Sequence, residues 1–572
     1  MKNSEVAEIL YNIADILEMQ DVAFKPSAYR KVARSIEALS EDINELAKKG
    51  KLKDIAGVGE SIEKKLQELL TTGKLAYYDK LMKGLPKHIL DLMEVPGLGP
   101  KKIKVLNEKL GIDSLKSLEA AAKAGKIREL EHFGEKSESE ILKGLELIKG
   151  GRQRMLLGEA LPTALEIEKK LKKLPEASAV SIAGSLRRRK ETIGDIDILV
   201  ASKKAPKVMA FFTKMPEVKR ILAQGPTKSS VIIENGMQVD LRVIEKNFGA
   251  ALQYFTGSKE HNVAVRDIAI KKGLKINEYG VFKRKGNRLV AGKTEQEVYK
   301  AIGMQCMAPE LRENAGEIEA ALKNKLPKII SYNEIKGDLH THTNYTDGKN
   351  TIVEMVQAAK KLGYEYIAIT DHSRSEPIAH GLDEDQLLFQ IKEVKEADRK
   401  VKGIKVFTGS EVDIKGNGEL DFPDEILKKL DIVVASIHSR FKSPKELMTK
   451  RITNALENEH VDIFGHPTGR MIYMREPYNV DLKKVYRSAI DNKVAMEINS
   501  QPKRMDLNDV HAKEAKEMGA KFVINTDAHT TSSLGFIQLG VSMARRGWLE
   551  KKDVLNTYPL KQLPKLFRKV RL

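Results

Sequence analysis

The spacing of hydrophobic residues changes twice along the chain and divides it into three regions. Up to about residue 150, Leu and Ile recur at three- and four-residue intervals between glycine-containing turns, which predicts short amphipathic helices. From about 175 the apolar runs become short and rich in Val and Ile, as in ASAVSIAG and DIDILVAS, which predicts strands. From 335 onward such strands (YIAITD, DIVVASIHS, KFVINTD) alternate with helical stretches, a rhythm typical of a βα barrel.

These patterns, together with the motifs below, predict a multidomain chain. The expected segments are helical regions at 1–85 and 86–150, a mixed α+β region at 151–250, a smaller subdomain at 251–316, a charged helical linker at 317–334 and an α/β domain at 335–572. Within the smaller subdomain, INEYGVFKRKGNRLVAG places Gly-Asn between two β-prone runs, which predicts a hairpin.

Charge adds a class of partner to this picture. The 572 residues carry a net charge of +19, and residues 151–300 alone have 30 Lys and Arg against 16 Asp and Glu. Such an imbalance indicates a polyphosphate partner, although a lysine-rich solvated surface is the alternative. There is no apolar run of about 18 residues, so we expect no membrane span and no membrane partner. The charged N-terminus and the single cysteine, Cys306, favour a cytoplasmic location.

Two glycine-containing turns in the first region repeat one motif. DIAGVGESIEKKLQELL at 54–70 and LMEVPGLGPKKIKVLNEKL at 92–110 each predict a helix, a Gly-x-Gly turn and a second helix. Glycines let backbone amides approach a phosphate closely, and the next helix N-terminus favours an anion. The pair resembles the helix-hairpin-helix motif, which implies contacts with the DNA backbone. The implied contact residues are Gly57, Gly59, Gly97 and Gly99. A plain turn between helices is the alternative for either copy alone.

The middle region carries three acidic residues on predicted strands. In AGSLRRRKETIGDIDILV at 183–200, Asp195 and Asp197 alternate along a strand, so both carboxylates point to one side. Asp240 lies on another strand, in QVDLRV. Three such carboxylates can hold two Mg²⁺ (or Mn²⁺) ions, which would stabilise the attacking hydroxyl and the leaving pyrophosphate of a nucleotidyl transfer. Solvated loop carboxylates are the alternative interpretation of the Asp-x-Asp pair.

The residues before this pair suit a triphosphate. Gly184 and Ser185 begin a turn whose amides could cradle phosphate, and Arg188 could neutralise its charge. Together with the three acids, they resemble the palm of the nucleotidyltransferase superfamily.

The segment QYFTGSKEHNVAVRDIAIKKGLKINEYGVF at 253–282 resembles the nucleotide-binding subdomain of DNA polymerase beta and its family X relatives. The resemblance implies that Tyr254, Phe255 and Gly257 line the sugar pocket. Asn262 would reach the incoming nucleotide and Arg266 the template strand. The same resemblance adds two residues to the triphosphate site, Arg152 and Gly194. Lys259 departs from the vertebrate pattern, which has an acidic residue there.

The N-terminal segments FKPSAYRKVA at 24–33 and GVGESIEKKLQELLTTGKL at 57–75 resemble the small lyase domain of the same family. A lysine of depressed pKa can form a Schiff base with a 5′-deoxyribose phosphate. The resemblance implies that Lys65 is this nucleophile. The implied neighbours of the 5′-phosphate are Lys25, Tyr29 and Arg30. Ser61 and Tyr77 stand where the vertebrate pocket has lysines, and an exposed lysine on an amphipathic helix is the alternative for Lys65.

Most of the 12 histidines lie after residue 330, in motifs that follow or end predicted strands. Imidazoles and carboxylates at successive strand ends would converge on one rim of a barrel, and this ligand mixture suits Mn²⁺, Zn²⁺ or Fe²⁺. The region resembles the PHP family of phosphoesterases, which implies two to three ions. The implied ligands are His340, His342, Asp347, His372, Glu411, His438, His466, Asp527 and His529. Arg470 and Arg504, near these motifs, are candidates for holding substrate phosphate.

The order of these resemblances is that of bacterial and archaeal family X DNA polymerases. It implies an all-α lyase-like helix-hairpin-helix domain, a second, fingers-like helix-hairpin-helix domain, an α+β nucleotidyltransferase palm, a thumb-like nucleotide-binding subdomain and a distorted βα PHP barrel.

The implied activity is DNA-directed synthesis from dNTPs on gapped or primed DNA in base excision repair, by a monomer. A PHP 3′–5′ exonuclease is implied as well, together with AP endonuclease and lyase action on abasic-site repair intermediates. One alternative is a PHP phosphoesterase or nuclease with an inactive polymerase region used for DNA binding. The others are an enzyme for a small ester such as histidinol phosphate and a non-enzymatic DNA-binding scaffold.

Overall fold

The computed structural model describes Met1 and residues 3–37, 39, 42–83, 85–86, 88–95, 98–131, 133–149 and 154–567. Its contacts divide the chain into two compact units. One comprises Met1–Met155 with Ala160–Cys306, and the other comprises Leu156–Glu159 with Met307–Leu572. In the ranges just given, every helix is too short or too polar to cross a membrane.

Among the described residues of 1–149, the regular elements are all helices. The helices are α1 Asn3–Met19, α2 Lys25–Glu37, α3 Ile43–Lys48, α4 Glu60–Thr72, α5 Ala76–Met82, α6 Pro100–Leu110, α7 Leu115–Lys123 and α8 Glu135–Lys149. Their apolar faces form two hydrophobic cores, one around Leu10 and Leu66 and one around Ile103 and Leu118. The first core uses residues between Val6 and Leu75, and the second uses residues between Ile89 and Leu145 together with Met19 of α1.

The next region contains a five-stranded sheet. The elements of the region are β1 Met155–Leu156, α9 Leu157–Lys172, β2 Ala179–Ile182, α10 Gly184–Arg187, β3 Thr192–Ile193, β4 Ile196–Ala201, α11 Ala205–Thr213, β5 Val218–Gln224, β6 Lys228–Ile233 and β7 Gln238–Ile244. The sheet order is β2-β4-β7-β6-β5, with β4 and β7 parallel and the other pairs antiparallel. β1 and β3 form a separate pair. This is the α+β palm expected from the sequence.

The next subdomain contains a three-stranded antiparallel sheet. Its elements are α12 Phe248–Thr256, α13 Lys259–Lys271, β8 Leu274–Asn277, β9 Gly280–Lys283, β10 Leu289–Ala291 and α14 Glu295–Ala301. The predicted hairpin is the β9–β10 pair. Its turn contains Gly286 and Asn287, both with positive φ, a conformation that these two residue types adopt most readily.

The C-terminal unit is built on a seven-stranded parallel sheet. Its elements are α15 Glu317–Leu322, β11 Gly337–Asp338, α16 Ile352–Lys361, β12 Tyr366–Ile369, α17 Glu384–Lys400, β13 Lys405–Asp413, α18 Asp424–Leu427, β14 Ile432–Ser436, α19 Lys445–Leu456, β15 Ile463–Phe464, α20 Leu482–Asp491, β16 Ala495–Asn499, α21 Asp509–Met518, β17 Phe522–Asn525 and α22 Ile537–Arg546. The strands lie in sequence order, and a parallel bridge between Thr341 and Ala528 joins the first strand region to the last. The sheet is therefore a nearly closed, distorted barrel.

Residues 317–334 differ from the linker that the sequence predicts. They belong to the compact C-terminal unit, where the backbone N–H of Ile330 donates to the carbonyl of Leu549. The Tyr332 hydroxyl donates to Glu310, which also pairs with Arg545 of α22. Two charged residues of the segment are engaged within the unit, because Glu334 lies 3.7 Å from Lys551 and Glu317 accepts the backbone N–H groups of Asn314 and Ala315, and Ile330 is fully buried.

Candidate active sites and DNA-binding surfaces

Three carboxylates of the palm lie close together. Asp197 on β4 is the register partner of Asp240 on the parallel strand β7, so the two side chains share one face of the sheet. Asp195 immediately precedes β4, because the strand begins at Ile196. Burial, with the charges of Asp195 and Asp240, raises the pKa of Asp197 well above its ordinary value. These three acids, the palm triad, are oxygen donors that suit a hard divalent cation.

The loop after β2 is closely fitted to this triad. The backbone N–H of Ala183 donates to the Asp197 carbonyl over 2.8 Å. Gly184 has a φ of +60°, and a Cβ at this position would collide with Asp197 Oδ2. Glycine is therefore required here both by backbone conformation and by space. On the other side, Gln238 Nε2 and Lys228 Nζ lie 2.6 and 3.2 Å from the two oxygens of Asp240.

The predicted triphosphate residues lie around this loop. Arg188 follows α10, and its Nη1 donates to the carbonyl of Thr256 over 2.5 Å. Arg154, which sequence reasoning missed, donates to Thr192 and lies within 3.1 Å of where a Gly194 Cβ would stand. Ser185 lies in α10, and its carbonyl accepts from Lys190. The candidate Arg152 lies outside the described residues.

The predicted nucleotide-binding aromatics form one packed group. Tyr254 and Phe255 meet edge to face at 5.1 Å, and the Arg242 guanidinium lies 4.6 Å from the Phe255 ring centroid. Asn262 donates to the Tyr254 carbonyl over 2.7 Å and accepts from Gln253. These bonds fix the orientation of the Asn262 amide.

Three further residues of this subdomain were considered from the sequence: Gly257, Lys259 and Arg266. Gly257 has a φ of +71°. Arg266 is exposed on α13, with its Nε donating to the Asn262 carbonyl over 3.3 Å. Lys259 forms an ion pair of 2.6 Å with Glu18 of α1. The Lys259 side chain is 54% exposed, so this is a surface ion pair with the N-terminal domain.

Lys65 lies on α4 in a small group of aromatic and basic residues. Its Nζ donates to Ser61 Oγ over 2.8 Å and lies 4.6 Å from the centroid of the Tyr77 ring, which stacks on Tyr29. Burial and the charge of Lys25 lower the pKa of Lys65. The two residues that replace lysines, Ser61 and Tyr77, thus contact the candidate nucleophile directly.

Arg30 is engaged elsewhere. Its guanidinium pairs with Asp15 and Glu18 of α1 over 2.5 and 2.7 Å. The predicted role of Arg30 at the 5′-phosphate stays a prediction, and it would require the guanidinium to exchange these carboxylates for the phosphate. Two carboxylates of the neighbouring helix neutralise it, and the resemblance of local sequence does not report this long-range pairing.

The helix-hairpin-helix glycines lie at helix N-termini. Gly59 and Gly99 are the N-caps of α4 and α6, and the space around each is open to at least 4 Å. Gly57 has a φ of +91° in the preceding turn. Gly97 lies outside the described residues. The first-turn amides of α4, and those of α6 after Pro100, which has no N–H, suit backbone phosphates of DNA.

The C-terminal unit gathers imidazoles and carboxylates at the carboxyl ends of its strands. His340 and His342 follow β11 rather than lying within a strand, yet their rings are 5.1 Å apart. Glu411 is central, and its oxygens lie 2.9–3.5 Å from nitrogens of five imidazoles: His340, His342, His372, His438 and His466. Asp347 and Asp527 lie 3.1 and 3.2 Å from His529 and His342. We call these nine residues the histidine–carboxylate cluster.

Several atoms of this cluster fit metal ions. Three subsets place one ligand atom from each residue within 4.8 Å of one another: His342 with Asp347, His372 and His529; His340 with His342 and Asp527; and His372 with Glu411 and His438. His340 Nε2 and both nitrogens of His342 are buried and make no hydrogen bond within the described chain. Buried imidazole nitrogens of this kind suit coordination to divalent ions such as Mn²⁺, Zn²⁺ or Fe²⁺.

The electrostatics of the cluster differ from ring to ring. Burial and the neighbouring rings of His529 and His372 lower the pKa of His342 to about 3. Against the effect of burial, the Glu411 carboxylate raises the pKa of His438 to about 10. His342 is therefore a neutral imidazole at physiological pH, which is the form that binds a metal.

Glu497, which sequence reasoning missed, holds two of these histidines in position. It is fully buried on β16, with Oε1 2.7 Å from His340 Nδ1 and Oε2 accepting the His466 backbone N–H. Asn525 also donates to it over 3.0 Å. A carboxylate behind a ligand imidazole fixes the ring orientation. The available signal was one acidic residue in the apolar run AMEIN.

An arginine lies at the edge of the cluster. Arg504 Nε is 3.6 Å from Asp527 Oδ2, and Arg504 Nη1 is buried without a hydrogen-bond acceptor among the described residues. Arg470 is tied to the Met505 carbonyl. Both arginines considered from the sequence keep a buried N–H without an acceptor among the described residues, Arg504 at Nη1 and Arg470 at Nε, and these groups can donate to an anion.

Five family models match successive parts of the chain. They are a helix-hairpin-helix domain over 1–75, a SAM-like helix-hairpin-helix tandem over 89–146, the DNA polymerase beta palm over 156–257, the DNA polymerase beta thumb over 251–313 and the PHP domain over 338–501.

Relatives match the whole chain or its C-terminal part. The DNA polymerase/3′–5′ exonuclease PolX of Bacillus subtilis (strain 168) is 38% identical over 567 residues, 98% of this chain and 99% of the relative. A probable phosphatase of Thermoanaerobacter sp. (strain X514) is 36% identical over 232 residues, 38% of this chain and 89% of that protein. A probable phosphatase of Caldanaerobacter subterraneus is 32% identical over 231 residues, 38% of this chain and 86% of the relative.

Proposed function

The chain belongs to the family of the Bacillus subtilis DNA polymerase/3′–5′ exonuclease PolX, and from that premise we propose that it fills short DNA gaps and trims 3′ ends. Synthesis from dNTPs takes place at the palm triad, and trimming takes place at the histidine–carboxylate cluster. The proposed setting is base excision repair in the cytoplasm. The fusion has a physical logic, because a polymerase needs a clean 3′-hydroxyl and damaged gaps often lack one.

The observation that carries the polymerase proposal is the alignment of Asp197 with Asp240 on parallel strands, with Asp195 beside them. When bound there, Mg²⁺ would polarise the reacting phosphate and stabilise the charge of the displaced pyrophosphate. The residues themselves orient the substrate. Arg188, at the junction with α12, is positioned to neutralise the triphosphate, and Asn262 is held ready to meet the incoming base.

The exonuclease proposal rests on the completeness of the histidine–carboxylate cluster. The nine residues expected from the sequence, six histidines and three carboxylates, lie close together, which supports a complete set of metal donors. Bound Mn²⁺, Zn²⁺ or Fe²⁺ would supply a hydroxide at neutral pH. Arg504 offers a buried N–H donor to the phosphodiester. The same site is proposed to cleave DNA at abasic positions.

The test uses a one-nucleotide-gapped duplex with a 5′-phosphate and a labelled primer. We expect Asp195→Ala to lose extension and keep 3′ shortening, and His340→Ala to do the reverse. Glu234→Ala, an exposed acid at the end of the β6–β7 pair, and His460→Ala, outside the cluster, are the matched controls. A wild-type protein that shortens the primer but never fills the gap would overturn the polymerase proposal and leave a DNA-directed nuclease.

The group around Lys65 supports a second proposed activity, removal of a 5′-deoxyribose phosphate. The lowered pKa of Lys65 favours the neutral amine that attacks an aldehyde. Borohydride should trap a covalent DNA adduct with the wild type and with Lys64→Ala, an exposed neighbour whose side chain is 74% accessible. It should trap none with Lys65→Ala. Equal trapping with all three proteins would show that Lys65 is not the nucleophile.

A further inference from the structure

A short hairpin stands at the edge of the histidine–carboxylate cluster. Met471 and Arg475 form an antiparallel bridge with 2.8 Å hydrogen bonds in both directions, and we call residues 471–475 the rim hairpin. Its tip presents Tyr473 and Met474, each 65% exposed. Tyr473 has a φ of +66°, a left-handed conformation that is uncommon for a bulky residue. An exposed aromatic ring held in a strained backbone points to a function rather than to packing.

Two connections place the rim hairpin beside the cluster. It begins five residues after the ligand His466, through a turn closed by the Gly469 N–H and the His466 carbonyl. The backbone N–H of Ile472 also donates to the carbonyl of Lys503, whose neighbour Arg504 lies 3.6 Å from the ligand Asp527. The tip residue Tyr473 is thus one residue away from a backbone hydrogen bond to the segment that carries Arg504.

The base of the rim hairpin is firmly held. Arg475 Nε donates to the Gly469 carbonyl over 2.8 Å, and its guanidinium lies 4.0 Å from the Phe441 ring centroid. The exposed tip is thus presented by a fixed support. Three cations lie near the tip, with Arg475 and Arg504 partly buried and Lys503 exposed, whereas one exposed acid, Glu476, follows the hairpin. Aromatic rings interleaved with cations are the combination that binds single-stranded nucleic acid, the rings stacking on bases and the cations meeting phosphates.

We propose that Tyr473 stacks on a base at the unpaired 3′ end of the DNA strand that enters the histidine–carboxylate cluster. The inference rests on the proposed exonuclease function and adds a substrate-positioning residue to it. A base that leaves the duplex loses its stacking on the neighbouring base, and the Tyr473 ring would replace that contact. A ring binds any base, so this contact selects unpaired ends without selecting sequence.

The experiment uses the full-length protein with Mn²⁺ and two substrates. A 5′-labelled single-stranded oligonucleotide measures the exonuclease, and bis(p-nitrophenyl) phosphate, which has no base, measures the metal site. The variants are Tyr473→Ala, Tyr473→Phe and the control Leu447→Ala, which removes a 62% exposed side chain from α19 of the same unit. We expect Tyr473→Ala to raise KM for DNA about tenfold, in the range of one lost base–aromatic stack. Tyr473→Phe and Leu447→Ala should stay within about twofold of wild type.

A third substrate isolates the base. With an oligonucleotide whose 3′-terminal two nucleotides lack their bases, the KM of the wild type should rise by the same factor of about ten. The KM of Tyr473→Ala should not rise further, because this variant has already lost the stacking contact. A loss of ester hydrolysis in Tyr473→Ala would show a misfolded site and overturn the stacking role. An unchanged KM for DNA in that variant would also overturn it while the exonuclease stands. A wild type that hydrolyses the ester but degrades no DNA would instead overturn the exonuclease proposal itself.

Discussion

The palm triad and the histidine–carboxylate cluster are two candidate sites for phosphate chemistry that differ in their charged groups. The palm triad brings three acids together, and Lys228 contacts one of them, Asp240. The cluster surrounds Glu411 with five imidazoles and supports His340 with a further carboxylate, Glu497. The first arrangement suits cations that arrive with a triphosphate, and the second suits ions that reside in the protein.

The two sites also differ in burial, and the histidine–carboxylate cluster is the more buried of the two. His340, His342 and Glu411 are almost fully buried, whereas Asp240 keeps 16% of its side chain exposed beside a solvent-accessible lysine. A buried set of neutral and charged ligands has to be held by further hydrogen bonds, which Glu497 and Asn525 supply. We therefore expect ions to exchange more easily beside the partly exposed Asp240 than at the buried cluster.

The largest expected effect is a separation of the two activities by single isosteric changes. Asp197→Asn should lower primer extension by at least about a thousandfold, roughly 4 kcal/mol of barrier, because it removes a ligand charge from the triad. Glu411→Gln should lower 3′ shortening by a similar factor. Gel assays on one labelled primer measure both activities. Loss of both by either variant would show that the sites are not independent.

Removal of metal should affect the two sites unequally. A chelator should lower the melting temperature of the C-terminal unit by about 5–10 °C, since ions held at 100 times their Kd stabilise by about 2.7 kcal/mol. Trp548, the single tryptophan, lies in that unit and reports its unfolding by fluorescence. Glu411→Gln serves as the control and should show a smaller shift. An unchanged wild-type transition would argue against resident ions.

Glu497→Gln should weaken the cluster without removing a ligand. The amide cannot accept the His340 Nδ1–H as a carboxylate does, so we expect a 10–100-fold higher Mn²⁺ requirement for 3′ shortening. Titration of activity with Mn²⁺ measures the shift, and saturating Mn²⁺ should restore most of kcat. Gap filling should not change. A loss of kcat that excess Mn²⁺ fails to restore would indicate a catalytic rather than a positioning role.

The smallest expected effect concerns the stability of the metal-free protein. Removing a charge should change the melting temperature in opposite directions at the two sites. The pKa of Asp197 is raised, so its contribution to stability is present at low pH and is lost as the pH rises through the raised value. The pKa of Glu411 is lowered well below its ordinary value, despite burial, by His438 and its neighbours, so its contribution is present at neutral pH and is lost only in acid.

At pH 7.5 with chelator, Asp197→Asn should therefore raise the melting temperature of its unit, and Glu411→Gln should lower that of the C-terminal unit. Shifts on the order of 1 kcal/mol, about 3 °C, are expected. Circular dichroism measures the first variant and Trp548 fluorescence the second. Shifts of the same sign in both variants would contradict the electrostatic comparison.

Residue order alone predicts much of this architecture. Short Val- and Ile-rich runs identify β4, β7 and the barrel strands, and the family models bear out the fold classes. The ligand motifs could be read because parallel strands joined by helices place all their carboxyl ends on one rim. The Asp-x-Asp pair could be read because side chains alternate along a strand, although Asp195 precedes β4.

Other features depend on residues far apart in the chain. Glu497 meets His340 across 157 positions, and Lys259 meets Glu18 across 241. Arg30 resembles a phosphate ligand in its local sequence, but α1 brings two carboxylates to it. No local pattern encodes these pairings.

The sequence by itself thus determined which chemical groups are present and at which strand ends they lie, since periodicity and motif spacing are local properties of the chain. Only the tertiary structure decided which charges meet, which nitrogens remain without hydrogen bonds and which ring stands exposed at Tyr473. The physical reason is that closure of the barrel and packing of α1 bring distant side chains within a few ångströms, where burial and Coulomb forces act.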